Sequence, residues 1–482
     1  NINLLIPDVP RLTFSSRGRN SEWLSRPFRT SVRGGGQFQE AIEEHRQELG
    51  ICQGLGDVIG CAVANRKIGE CFAELGNYEA ALKHQHLHMD LAKSVSSDIE
   101  EQRALATIGR TYLYMCEVGK EEAQRPAEDA FLKSLAIVDE RLEGKVSQRD
   151  LSEMRARLFL NLGFLYDIMG KPDKCSYYIR KSIFISEQTQ LHEDLYRANV
   201  NLAGIHLRNG EHSKAIRCWE AARECARRMR DKQMESECYG SIGQTLLSLG
   251  DLSAGKRSLK KAFRLGSLQQ SDRDIVRRNL KYAIKGCHLE EALSELVEGD
   301  KRGALPLYEQ LGDLYCKVSC YSKAVEYYKL QLRCAQSLGR PDKELAVIHV
   351  SLAATYTDLR DHKRALLHYQ EELELRKGNP VEECKTWLNM AMSMEEDGQE
   401  SEEVQRCLSS ALKCSREAKD SQLQRKVLRQ LLVMQKKWAS LEAADTEAQL
   451  AELCGGSDSE SEEEEVESSE PLQESDIELS QS

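Results

Sequence analysis

The chain has 482 residues, a formal net charge of −11 and only nine prolines. This length exceeds the usual size of one hydrophobic core, so several domains or a repeat array are expected. No apolar run approaches the roughly 18–20 residues that cross a bilayer, and no secretory signal is evident, so neither a membrane span nor export is predicted. The 16 cysteines are scattered through helical pattern and are predicted to be reduced, mostly buried thiols.

The first segment, residues 1–36, shows no sustained helical or strand period and is rich in arginine. It is predicted to be disordered or irregular. Helical periodicity begins at Gln37 and continues in a stripe of Phe38, Ala41, Ile42 and Leu49. We interpret this stripe as the second helix of a truncated first repeat.

A short phrase with a small residue inside an apolar run recurs along the chain. The small residues are Gly69, Gly109, Gly163, Ala203, Gly243, Gly312, Ala353 and Ala391. Most of them are 38 to 41 positions apart, and a bulky residue often follows 16 positions later, as Ile179 follows Gly163. Two helices approach closely only where the Cβ is small or absent, so each small residue is predicted to mark a helix crossing.

This spacing resembles the tetratricopeptide repeat, in the longer form of Pins-type polarity adaptors and kinesin light chains. The resemblance implies an all-α superhelical solenoid of about eight to nine helix pairs. Repeats are predicted over 37–269 and, with a capping helix, over 305–440. The intervening stretch 270–304 is predicted to be a degenerate repeat or an extra helix pair.

No catalytic constellation is evident, so no enzyme activity and no cofactor are predicted. His84 and His88 are four residues apart on one predicted helix, which suits a metal pair. No third ligand stands at a suitable spacing, and we therefore predict no metal site.

The functional hypothesis concerns the first helix of each pair, which lines the concave face in this class of repeat. Basic and amide side chains recur there at positions before and after the small residue. The predicted partner-binding groove consists of Arg66, Lys67, Arg103, Arg110, Arg157, Asn161, Arg197, Asn201, Arg208 and Asn389. Asparagine offers a donor and an acceptor to a peptide backbone, and arginine binds carboxylates with two bonds. The competing interpretation is an ordinary solvated helix face.

The end of the chain is strongly acidic. Residues 455–482 contain eleven acidic residues and no lysine or arginine, which leaves 67 acidic and 67 basic residues in the rest of the chain. The predicted interaction surface of this disordered tail is Asp458, Glu460, Glu462, Glu463, Glu464, Glu465 and Glu467. The tail is interpreted as a ligand for histones or another basic partner, as a solubilising linker, or as a segment that folds back onto the basic groove.

Several sequence segments are more specific to one protein family than the general repeat pattern is. They include GCAVANRKIG from Gly60, KSLAIVD from Lys133, IHVSLA from Ile348 and KTWLN from Lys385. These phrases resemble the tonsoku-like family of replication-fork repair scaffolds over about residues 36–470. Residues 1–35 fall outside the resemblance.

The resemblance implies a nuclear, non-enzymatic scaffold in homologous recombination at stalled or collapsed forks. It implies contacts with replication-fork and histone-chaperone proteins, with histones possible partners of the acidic tail, and with a large repair partner only through regions beyond residue 482. It implies no direct sequence-specific binding of nucleic acid. The alternative is a cytoplasmic peptide-binding adaptor of the Pins or kinesin light-chain type.

Overall fold

The computed structural model describes residues 35–266, 270–297, 299–437, 446, 447, 449 and 450. The predicted irregular segment up to residue 34 and the acidic tail 455–482 lie outside the described residues. Within those ranges the chain is built from α-helices and contains no β-strand. The predicted all-α repeat fold is confirmed.

The helices of the described residues have nearly uniform length. In chain order they are α1 (Gly35–Leu55), α2 (Val58–Glu74), α3 (Tyr78–Ser94), α4 (Asp98–Glu117), α5 (Gln124–Glu140), α6 (Gln148–Ile168), α7 (Pro172–Gln188), α8 (His192–Arg208), α9 (His212–Met229), α10 (Lys232–Ser248), α11 (Leu252–Leu265), α12 (Gln270–Glu295), α13 (Lys301–Lys317), α14 (Tyr321–Ser337), α15 (Asp342–Asp358), α16 (His362–Leu375), α17 (Pro380–Glu396), α18 (Ser401–Glu417) and α19 (Ser421–Lys437).

Local sequence explains where many of these helices begin and end. Asn77, Ser97 and Asp251 are N-caps whose side chains accept a hydrogen bond from a backbone N–H in the first turn of α3, α4 and α11. The glycine at the end of the recurring phrase, such as Gly170 with a φ of 65°, adopts the left-handed conformation that terminates a helix. The ends of these helices are therefore set by residues of the repeat itself.

The predicted crossings are present. A Cβ on Gly163 would lie 2.5 Å from Cγ1 of Ile179, and one on Gly312 would lie 2.5 Å from Cε1 of Tyr328. The bulky residue 16 positions after the glycine thus occupies the space that a side chain would need. These contacts join α6 to α7 and α13 to α14, and they show how the repeats form helix pairs.

The helices form two compact units. Among the described residues, the first comprises those up to 296 together with 313–323, and the second comprises those of 297–312 and those from 324 onward. The core of the first unit includes the buried side chains of Phe131, Leu162 and Ile179. A core in the second unit is formed by α17, α18 and α19, where Val404 and Val427 are fully buried.

Two parts of the structure differ from the predicted organisation. Helix α1 begins at Gly35, two residues before the predicted start at Gln37. The stretch 270–304, for which a degenerate repeat or an extra helix pair is predicted, contains one 26-residue helix, α12, followed by the start of α13. Buried Val276, Leu280 and Ala283 continue along α12, no proline interrupts it, and the helix passes through the buried Gly286 without a break.

Candidate functional site

A groove of about 390 Å³ lies on α1 and on the first helices of the following pairs in the first unit. Helices α1, α2, α4, α6 and α8 each contribute side chains to it. The lining residues are Phe38, His45, Lys67, Glu70, Cys71, Glu74, Arg110, Tyr114, Arg157, Leu160, Asn161, Asp194 and Arg197. The lining combines basic, acidic and apolar groups, which is a composition suited to a peptide.

The structure brings together five of the ten predicted groove residues. The five that line the groove are Lys67, Arg110, Arg157, Asn161 and Arg197. Four others lie on the same first helices outside this lining, namely Arg66, Arg103, Asn201 and Arg208. The tenth, Asn389, is half-buried on α17 of the second unit.

The predicted arginines are already paired with carboxylates of the chain. Arg110 donates to Glu70 at 3.1 Å, and Arg157 donates to Asp194 at 2.9 Å. Corresponding ion pairs are Arg66–Glu70, Lys67–Glu48, Arg103–Glu100, Arg197–Glu193 and Arg208–Asp167. The basic side chains of the groove are therefore already paired with acidic side chains of the chain. An incoming acidic group would have to displace those carboxylates from the arginines.

Several of these bonds join equivalent positions in successive repeats. The pairs Arg110–Glu70 and Tyr114–Glu74 each span 40 residues, and Tyr196 donates to Glu237 across 41 residues at 3.2 Å. These separations equal the repeat length, so the bonds tie one first helix to the next. We call these bonds the inter-repeat ladder. We did not predict it from the sequence, although residues of opposite charge one repeat apart could have indicated it.

Burial shifts the pKa values of two groups in the inter-repeat ladder. Desolvation raises the pKa of the Tyr114 hydroxyl, so it remains a proton donor to Glu74, 3.0 Å away. Desolvation opposes the charge of Arg110, but the nearby Tyr114, Glu70 and Glu74 outweigh it and raise the pKa of the guanidinium. Both groups therefore keep their protons at neutral pH.

Two asparagines behave differently from the arginines. Asn161 is 8% exposed and Asn201 is 5% exposed. The Oδ1 of Asn161, and both amide atoms of Asn201, have no hydrogen-bond partner among the described residues. An unpaired buried polar group costs about 1–3 kcal/mol, so such groups are uncommon without a ligand or water.

Other buried asparagines in the same unit form hydrogen bonds within their own helices. Asn65 donates to the carbonyl of Cys61, and Asn199 donates to that of Leu195, each at 2.9 Å within its own helix. Asn161 and Asn201 stand 40 residues apart, each two positions before a crossing residue. Their unmet hydrogen-bonding capacity therefore recurs with the repeat.

The histidines considered as a metal pair have separate partners. Nδ1 of His84 lies 2.9 Å from Oδ1 of Asn65, and Nε2 of the buried His88 lies 2.9 Å from Oε2 of Glu100. Over the described ranges, no group of three or more His, Cys, Asp or Glu side chains is arranged to hold a metal ion. The described cysteines are free thiols. No helix in those ranges has the length and apolar character needed to span a membrane.

Comparison with known proteins gives the repeat class and the relatives. Tetratricopeptide-repeat families match residues 236–265 and 304–378. A tonsoku-like protein of Danio rerio is 59% identical over 93% of this chain, and one of Mus musculus is 51% identical over 88%. The chain belongs to the tonsoku-like family.

The chain spans 32% of the length of the Danio rerio relative and 31% of the Mus musculus relative. Among solved structures, the TPR2AB-domain:pHSP90 complex of yeast Sti1 shares 20% identity and a TM-score of 0.25, covering 58% of this chain and 97% of that one. The repeat fold and the tonsoku-like relatives together indicate a protein-interaction scaffold.

Proposed function

We propose that the groove binds an extended peptide segment of a protein partner, with Asn161 of the lining holding its main chain and Asn201, which lies outside the lining one repeat later on α8, holding the continuation of the same segment. The unpartnered amide atoms of these two buried residues are the observation that carries the proposal. A peptide backbone offers alternating N–H and C=O groups, which an asparagine amide can satisfy from one side chain. A bound strand crossing α6 and α8 would supply the missing partners.

The paired arginines would set the sequence preference of this peptide. Arg157 and Arg197 line the groove next to Asn161, and Arg157 is bonded to both Glu153 and Asp194. An acidic peptide side chain could share their guanidinium donors only by weakening such bonds. Affinity would then depend chiefly on the main chain, and charge would contribute to selectivity.

At the level of the cell, the proposed role is a nuclear scaffold for homologous recombination at stalled or collapsed replication forks. The tonsoku-like relatives and the resemblance in sequence support it. The proposed partners are replication-fork and histone-chaperone proteins, with histones as candidates for the acidic segment 455–482. A large repair partner would engage regions outside this chain.

The groove proposal is tested with the double variant Asn161→Ala/Asn201→Ala. The matched control is Asn199→Ala, because Asn199 is equally buried at 7% exposure but is bonded within its own helix. The full chain and both variants are used to capture partners from whole-cell extract, quantified by mass spectrometry, and their urea midpoints are measured.

The double variant should lose a defined set of partners while its stability stays unchanged or rises, because it removes unsatisfied polar groups. The control should lose stability and keep those partners. Undiminished capture by the double variant would refute the groove. If the captured set contains no replication-fork or chaperone proteins but does contain cortical or motor proteins, the cytoplasmic adaptor role replaces the nuclear one.

A further inference from the structure

The strongest local positive charge in the chain lies outside the groove, on α11 and α12. Residues 252–289 contain ten lysines and arginines and only two acidic residues. The ten cations are Lys256, Arg257, Lys260, Lys261, Arg264, Arg273, Arg277, Arg278, Lys281 and Lys285. We call these side chains the basic face. Since residues 1–454 are neutral overall, this excess of positive charge is a local feature.

On each helix the cations share one side. At 3.6 residues per turn, the five of α11 fall within an arc of about 140°, and so do the five of α12. The opposite side of α11 is buried through Leu252, Leu259 and Ala262, and that of α12 through Val276 and Leu280. Packing therefore uses the apolar sides and leaves the cations outside.

The cations of neighbouring helices adjoin one another. The guanidinium of Arg277 on α12 lies 6.0 Å from the centre of the Phe263 ring on α11. Lys261 and Arg223 both lie over the ring of Tyr239, at 5.4 and 5.1 Å. One contact thus brings a cation of α12 against α11, and the ring of Tyr239 brings a cation of α11 close to one of α9.

At least half of this charge has no ion-pair partner among the described residues. Within the described residues, no carboxylate forms an ion pair with Arg257, Arg264, Arg278, Lys281 or Lys285. Arg257, Arg264, Arg278 and Lys285 are also exposed to solvent. A surface that keeps so many like charges together destabilises the chain unless a polyanion neutralises them.

The kind of polyanion follows from what the basic face lacks. Between residues 252 and 289, the described part has no large apolar side chain that is exposed. A protein interface would need apolar or aromatic anchors at its centre, and a membrane-surface helix would need an exposed apolar side. A phosphate backbone requires only a row of cations.

We propose that the basic face binds the phosphate backbone of nucleic acid without reading its sequence. The cations of α11 run from Lys256 to Arg264, so their row extends about 12 Å and faces roughly three to four phosphates of one strand. The rings of Tyr239 and Phe263 are covered or half-covered, so bases do not stack on them. This surface is separate from the groove and leaves it open to a peptide.

The test measures binding of the full chain to a labelled single strand of about 30 nucleotides and to the matching duplex, over about 50 to 200 mM salt. The variant is Arg257→Gln/Arg278→Gln/Lys285→Gln. The control is Arg149→Gln/Lys343→Gln/Arg429→Gln, which removes the same charge from exposed positions elsewhere.

Wild type and control should bind either probe with affinity that falls steeply with salt. The variant should bind about tenfold more weakly or worse at the lowest salt, and its log–log salt slope should fall by about two, since three phosphate contacts are lost. Absence of wild-type binding, or an equal loss in the control, would overturn the proposal.

Two further probes separate the competing occupants. Phosphatidylserine vesicles test for a membrane surface, and a peptide of residues 455–482 tests for the acidic segment of the same chain. If either binds the basic face more tightly than nucleic acid does, the nucleic-acid assignment is wrong. Weaker binding of both supports it.

Discussion

The groove and the basic face both carry several arginines, but they use them in opposite ways. In the groove Arg110 and Arg157 donate to carboxylates of neighbouring repeats at 3.1 and 2.9 Å. On the basic face Arg257 and Arg278 form no ion pair with the described residues. The first set ties the repeats together, and the second leaves its charge available. A count of cations on a helix therefore does not identify a binding surface until their partners are known.

The largest expected effect separates these two kinds of arginine. Arg157→Ala should lower the free energy of unfolding by about 3 kcal/mol, because it leaves Asp194, which is 3% exposed, without its partner. Arg257→Ala should change it by less than about 0.5 kcal/mol. Urea denaturation of both variants checks the difference.

The double variant Arg157→Ala/Asp194→Asn is the control for that result. It should recover part of the loss, because the buried carboxylate no longer carries an unpaired charge. Equal losses in Arg157→Ala and Arg257→Ala would mean that the ion pairs of the groove contribute nothing to stability, and the contrast with the basic face would disappear.

A second prediction asks whether the two surfaces are built independently. Gly163 marks the crossing beneath the groove, and Gly243 marks the one beneath α11, where a Cβ would lie 2.6 Å from Cγ of Leu259. Each glycine replaced by leucine should cost about 1–3 kcal/mol or more through overpacking.

Because repeat proteins are held mainly by contacts between neighbours, the damage should remain local. Hydrogen exchange should accelerate in α6 and α7 for Gly163→Leu, and in α10 and α11 for Gly243→Leu. Gly50→Ala is the control, since no atom lies within 4 Å of its new Cβ, and it should not destabilise. Equal acceleration along the whole first unit in both leucine variants would show that the surfaces are coupled.

The crossings could be predicted from sequence because they depend on a spacing within one helix pair. The 16-residue offset from Gly163 to Ile179 is fixed by two helices and a short turn. The ion pairs could not be predicted from sequence. The pair Arg110–Glu70, for example, depends on how successive helix pairs are offset and rotated relative to each other. The same limit applies to Asn161: its position was predicted, but its lack of a partner is a property of the packed array.

The basic face was missed for another reason. Its ten cations stand in 38 consecutive residues, but the neutral balance of residues 1–454 concealed them when charge was counted over long segments. The continuous helix α12 was also missed, since its apolar positions alone do not show whether a helix is one element or two. A windowed charge count would have found the first feature, and only the structure shows the second.

A third prediction uses pH to distinguish paired charge from unpaired charge. Glu100 accepts from His88 at 2.9 Å and pairs with Arg103 at 2.6 Å. The hydrogen bond from His88, helped by Arg103 and opposed by burial, lowers the pKa of Glu100 to about 2. The ionised carboxylate therefore stabilises the folded chain at neutral pH.

This stability should be fully present above pH about 4.5, the ordinary value, and should be lost as the pH falls from there toward 2. Glu100→Gln should lower stability at pH 7 by about 1–3 kcal/mol and should remove this part of the acid dependence. The difference between the wild-type and variant urea curves over this pH range isolates it. A constant difference down to pH 3 would contradict the assignment.

The smallest predicted effect is the change in stability when cations of the basic face are removed. The direction of that change distinguishes the basic face from the groove. Arg257→Gln/Arg278→Gln/Lys285→Gln should raise the free energy of unfolding by a few tenths of a kcal/mol at low salt, because it relieves repulsion among like charges. The gain should vanish at about 1 M salt, where the Debye length is about 3 Å. A loss of stability instead would show that these cations hold the fold together as those of the groove do. A gain would mean that the chain retains a mildly destabilising surface, which is expected of a site whose polyanion is absent.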